Sequence, residues 1–90
     1  MREIDTKEIL NIIPENLKVA LGDLIKSPDL QEIRIRADRP LILQLGEREI
    51  ICKYIPKLED IKTIIKRMSN YSIYAFEEEI KQGYITIKGG

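Results

Sequence analysis

Near residue 30 the apolar residues of this chain change period, from the spacing of a helix to strict alternation. In Glu32-Ile33-Arg34-Ile35-Arg36 the isoleucines point one way and the charged side chains the other, as in a strand with one buried face. Asp38-Arg39-Pro40 makes a turn. Leu41-Ile42-Leu43-Gln44-Leu45 follows as a second strand, with Leu41, Leu43 and Leu45 inward. Gly46-Glu47 reads as a tight hairpin leading to a third strand from about Glu49 to Tyr54. Links this short exclude parallel pairing, which needs a crossover of about a dozen residues or more. An antiparallel meander is therefore the expectation for the middle of the chain.

Helical spacing flanks the meander. Asp5 to Ile13 reads as a short helix, with Asp5 as cap and Glu8 completing a capping-box-like pair. Pro14 suits the first turn of a second helix reaching about Lys26, whose stripe is Leu17, Leu21, Leu24 and Ile25. Ser27-Pro28-Asp29 ends it. Beyond Pro56, Leu58 to Ser69 is amphipathic, with Leu58, Ile61, Ile64, Ile65 and Met68 on one face. Ser72 can cap a further helix to about Gln82, with Ile73, Phe76 and Ile80 inward. Gly83 falls where a left-handed C-cap belongs, and Tyr84 to Lys88 alternates as a fourth strand. The order is ααβββααβ, the α+β class: an antiparallel sheet of about four strands with helices on one face. Gly89-Gly90 is a turn signal that ordinarily leads into a partner strand, although a frayed tail would look the same. The residues alone lead to one domain, residues 1–90, whose end looks cut in mid-fold.

The chemistry available is narrow. Fifteen basic and fifteen acidic residues give no net charge, so no global field favours nucleic acid or a membrane surface. Histidine is absent and Cys52 is the single cysteine, which removes the usual general base and any intramolecular disulfide. A lone thiol fits a reducing compartment, and its place beside Ile50 and Ile51 points to burial rather than reactivity. There is no G-x-x-x-x-G-K-[ST] and no G-x-G-x-x-G. No window approaches the ~20 apolar residues of a membrane span. Glu77, Glu78 and Glu79 fan across roughly 200° of a helix, so they cannot converge on a cation. The reading is that these ninety residues are not an enzyme, bind no metal and need no cofactor of their own.

Two groups of residues remain as candidates. Arg34 and Arg36 project from one face of one strand, and Arg39 lies in the turn at its end. Three guanidiniums there can bind a phosphate or an acidic partner by bidentate hydrogen bonds. The bland alternative is a solvated outer face balanced by Glu32 and Asp38. Tyr71 and Tyr74 fall off the Ile73/Phe76/Ile80 stripe, which makes them candidates for an interface.

Two blocks carry a resemblance. Glu32-Ile-Arg-Ile-Arg-Ala-Asp-Arg-Pro40 and Tyr71-Ser-Ile-Tyr-Ala-Phe-Glu-Glu-Glu-Ile80, the latter followed by Gly83-Tyr-Ile-Thr-Ile-Lys-Gly-Gly90, resemble the N-terminal part of the stage III sporulation protein AA family. That family is similar to the ATPases of type II, type IV pilus and type IV secretion systems. The resemblance implies a larger ATPase whose nucleotide-binding domain, with its ATP and Mg, lies outside these residues. It implies that this domain packs on its own ATPase domain and on neighbouring subunits. It further implies docking to channel proteins between mother cell and forespore, from the mother-cell cytoplasm and without a membrane span. Arg34, Arg36 and Arg39 match the family's E-I-R-x-R-x-x-R-P motif, which implies that they can reach nucleotide phosphates. A free-standing adaptor that binds a partner through Tyr71/Tyr74 or an open sheet edge is the alternative.

Overall fold

The computed structural model describes residues 3–4, 6–68 and 76–89. Its sheet has the strand order β1-β5-β2-β3-β4. The strands are β1 (Glu3–Ile4), β2 (Leu30–Arg36), β3 (Leu41–Leu45), β4 (Arg48–Cys52) and β5 (Tyr84–Gly89). β5-β2-β3-β4 are antiparallel neighbours, as the alternation requires. The addition is β1, two residues parallel to β5, with Glu3 opposite Lys88 and Ile4 opposite Gly89. Two residues cannot display a period of two, so this strand leaves no pattern to read.

The helices are α1 (Thr6–Ile12), α2 (Glu15–Leu21), α3 (Leu58–Met68) and α4 (Glu77–Gln82), with a 3-10 segment at Gly22–Lys26. The second helix is thus shorter than its stripe implies. Gly22 stops the α-helix at φ 56°, where L side chains are disfavoured, and donates its N–H to the Lys18 carbonyl. The 3-10 turn still delivers Ile25 to the core. The Asp5 cap and the Ser72–Ala75 start of the last helix lie outside the described residues.

Every helix uses the same side of the sheet. Ile33, Ile35, Leu41, Leu43, Ile85 and Ile87 line the inner sheet face, and Ile61, Ile64 and Ile65 of α3 cover them. Ile9, Ile13, Leu17 and Leu21 complete this core. A bulge at Gln31 keeps it continuous. Leu30 pairs with Leu45 but Glu32 with Gln44, so one extra residue returns Leu30 to the buried side. Arg67 at the end of α3 donates to the Ile13 carbonyl at 3.3 Å, which satisfies the C-terminus of α1.

A polar knot ties the exit of β4 to two helices. Tyr54 donates its hydroxyl to Asp60 at 3.1 Å, and the same carboxylate accepts the Lys57 N–H at 2.9 Å. That second bond is the reach-back half of a capping box. Asn16 donates to Asp60 at 3.2 Å and to the Tyr54 oxygen. Partial burial, then the Asp60 charge and its hydrogen bond, raise the Tyr54 pKa, and the Asn16 bond opposes them.

The Tyr54 pKa is raised on folding, so its contribution is complete below the unfolded value of about 10 and fades as pH climbs through the folded value. Tyr54→Phe is expected to flatten the alkaline limb of a stability-against-pH curve above about pH 10 relative to the parent chain. Urea midpoints at stepped pH measure this. In the core, Ile33→Ala should cost about 2–5 kcal/mol, whereas Val19→Ala, at a position 77% exposed, should stay within about 0.5 kcal/mol. Urea unfolding at pH 7 separates the two.

Candidate functional site

The outer face of the sheet carries no helix among the described residues, and strand register fixes which side chains share it. Lys88, Glu32, Gln44 and Glu49 form one cross-strand row. Thr86, Arg34, Ile42 and Ile51 form the next, and Tyr84 with Arg36 the third. The rows grade from charged to apolar and aromatic. At the apolar end lies an open groove of about 520 Å³ lined by Arg34, Arg36, Arg39, Pro40, Ile42, Ile51 and Tyr84. All three arginines singled out from the sequence therefore meet in one place, though with different states.

Arg34 is committed to the fold. Its guanidinium donates to Glu32 at 3.2 Å, to Glu49 at 3.4 Å and to the Gln44 side chain at 2.9 Å. Gln44 in turn donates to the Gly46 carbonyl at 3.0 Å, in the β3–β4 turn. Arg34 thus clamps β2, β3 and β4 across the outer face, half-buried and with its forked donors engaged. Arg36 is exposed and lies over the Tyr84 ring, 4.8 Å from its centroid. Arg39 is exposed as well. Among the described residues neither Arg36 nor Arg39 forms an ion pair.

The turn between β2 and β3 sets the spacing of these two. Arg39 donates its N–H to the Arg36 carbonyl at 3.2 Å, and Asp38 takes a φ of 65° within the turn. Aspartate tolerates that left-handed geometry better than most residues. The Asp38 carboxylate reaches Lys57 at 3.7 Å and forms no ion pair with the arginines among the described residues. The Ala37 N–H donates to the Gly83 carbonyl at 2.8 Å, which holds the start of β5 against this turn. Gly83 has a φ of 65°, and an added Cβ would meet the Ala37 Cβ at 3.3 Å. Tyr84 is placed beside Arg36 by that close approach.

Alternation places Ile42 and Tyr84 outside, opposite Leu41/Leu43 and Ile85, but their partnership with the arginines needs strand order. Tyr71 and Tyr74 lie outside the described residues. Cys52 is partly buried, and burial raises its thiol pKa, which disfavours the reactive thiolate. Among the described residues no group of three or more acidic, thiol or imidazole side chains could hold a metal ion. Nor is any described helix long and apolar enough to cross a membrane. The site offers two unpaired guanidiniums beside an apolar floor, suited to an anionic group carried on an apolar body.

Gly83→Ala should cost about 1–2 kcal/mol through its left-handed φ. It should also weaken the Arg36–Tyr84 stack, read as a change in tyrosine fluorescence against the parent chain.

Comparison with known proteins agrees with the family resemblance of the sequence. The family described as sporulation stage III, protein AA matches residues 3–90. Stage III sporulation protein AA of Bacillus subtilis (strain 168) is 40% identical over 85 residues. That alignment covers 92% of this chain and 28% of the relative, so the chain spans well under two thirds of the relative's length. No solved structure matches the chain. A match along almost the whole chain means that it belongs to the sporulation stage III protein AA family.

Proposed function

We propose that this chain is the N-terminal, non-catalytic assembly and regulatory domain of a secretion-type ATPase that energises a channel between mother cell and forespore. Family membership supports a role in sporulation, and the match to 28% of the relative supports a part within a larger protein. The observation that carries the finer reading is the pair Arg36 and Arg39, exposed and without ion-pair partners among the described residues. A guanidinium kept unpaired on an open face is available to an anion that arrives from elsewhere.

In this reading the partners are the protein's own ATPase domain, its neighbouring subunits and the channel proteins. The site of action is the mother-cell cytoplasm, at the membrane through those partners. In the same reading ATP and Mg belong to the larger protein, ATP as the phosphoryl donor and Mg as the cation that would neutralise its phosphate charge. What these residues do is narrower. Arg36 and Arg39 meet phosphate charge at a domain boundary, Tyr84 orients Arg36, and Arg34 keeps the strands beneath them in register. A free-standing adaptor is favoured by one observation, the 64% exposure of Ile51 in the same groove.

In the full-length protein, Arg36→Ala with Arg39→Ala should lower ATP turnover about tenfold or more, because phosphate-contacting arginines act on the charged transition state. The same pair should shift the stability of the 90-residue chain by no more than about 0.5 kcal/mol. Unchanged turnover would refute the phosphate contact and favour the adaptor. Arg34→Ala should behave differently, lowering stability by about 1–3 kcal/mol because Glu32 and Glu49 lose their shared cation. The 90-residue chain should show no ATP binding by calorimetry at ~1 mM, since a P-loop provides most phosphate contacts in such proteins.

A further inference from the structure

The groove on the outer face changes character along the strands. Ile42 and Ile51 lie in the row of Arg34. Arg36 and Tyr84 lie in the next row, where Arg36 is two residues further along β2. Arg39 and Pro40, both exposed, complete that end at the turn into β3. Rows two residues apart are separated by about 6–7 Å. An apolar floor and a cationic end therefore stand side by side at that spacing, in one open space of about 520 Å³.

This arrangement constrains what can fill the groove. Arg36 and Arg39 form no ion pair among the described residues, so the complementary occupant carries negative charge. Pro40, Ile42 and Ile51, the last 64% exposed, call for an apolar body beside that charge. A free phosphate covers none of this floor. A nucleotide base finds no open ring to stack on, because Tyr84 is the single aromatic residue of the lining and already stacks with Arg36. An extended peptide matches both requirements. Its residues i and i+2 share one side and are also about 6–7 Å apart, the distance between the two rows.

We infer that this groove binds an extended segment of a partner protein in which an acidic and an aliphatic residue are separated by one position. The carboxylate meets the guanidiniums of Arg36 and Arg39. The aliphatic side chain lies on Ile42 and Ile51, and the residue between points away from the sheet. Tyr84 restrains Arg36 for this contact from 4.8 Å below its guanidinium. The inference rests on the same available arginines as the proposed function, but it needs neither ATP nor a phosphate contact.

Titration of the isotope-labelled 90-residue chain with the blocked pentapeptide Ala-Glu-Ala-Ile-Ala, followed by nuclear magnetic resonance, tests this. Saturable shifts at Arg36, Ile42, Ile51 and Tyr84 are expected, with a Kd of about 1 mM or below. Exchanging the Glu of the peptide for Gln should weaken binding about tenfold, because charge-assisted hydrogen bonds are lost. The reordered peptide Ala-Glu-Ile-Ala-Ala sends the two side chains to opposite sides and should lose about tenfold through the uncovered floor. Arg36→Gln with Arg39→Gln should weaken the parent peptide about tenfold and leave the Gln peptide nearly unchanged, the mark of a direct pair. Absence of saturable shifts at ~5 mM peptide overturns the inference. So does binding indifferent to the order of the peptide or to the two arginines. Inorganic phosphate binding at these residues as tightly as the peptide overturns it too, since the floor would then contribute nothing. ATP turnover enters none of these measurements, so the peptide and the phosphate contact can each fail without the other.

Discussion

Strand β2 is the element on which the rest depends. It is bonded on both sides, to β3 and to β5, and its alternation assigns every residue of its neighbours to a face. Ile33 and Ile35 are fully buried against the helical layer. Arg34 and Arg36, on the same strand, are by necessity on the other side. A slip of one residue would bury two guanidiniums and expose two isoleucines. The cost of that exchange is what fixes the register, and the register is what creates the arginine face. The bulge at Gln31 belongs to the same constraint, because it lets Leu30 join the core without disturbing Ile33.

Much of this was legible in the residues. The alternating segments, the hairpin at Gly46, the stripe of α3 and the left-handed cap at Gly83 are local patterns with one dominant solution each. The parts that could not be read are those set by partners far along the chain. β1 is too short to carry a period and forms only because β5 offers an edge. The 3-10 segment keeps helical spacing of its apolar residues, so the stripe Leu21, Leu24, Ile25 conceals the break that Gly22 introduces. Leu58 reads as part of the α3 stripe, yet it is 37% exposed at the helix start, where no further turn precedes it.

The site shows the same division. That Arg34 and Arg36 share a face follows from a period of two, and that Arg39 lies close follows from the turn. Their unequal states do not follow. Glu49 and Gln44 come within reach of Arg34 only through the β3–β4 register, while Tyr84 reaches Arg36 through the β2–β5 register. Three arginines that look equivalent in the sequence become one structural clamp and two available cations.

This division also explains how a chain with no net charge can carry a cationic site. The acidic residues are not spread evenly over the outer face: Glu32 and Glu49 gather at the Arg34 end, and Asp38 turns away to Lys57. Screening limits the influence of each exposed charge to about 8–10 Å at ordinary ionic strength. What an approaching anion meets at the groove is therefore set by Arg36 and Arg39 more than by the total charge. The stack on Tyr84 adds to this, since it restrains the Arg36 side chain before any ligand arrives and leaves less freedom to lose on contact. Neutrality over the whole chain and a local cationic groove are thus compatible, because the compensating carboxylates are spent on holding the strands together.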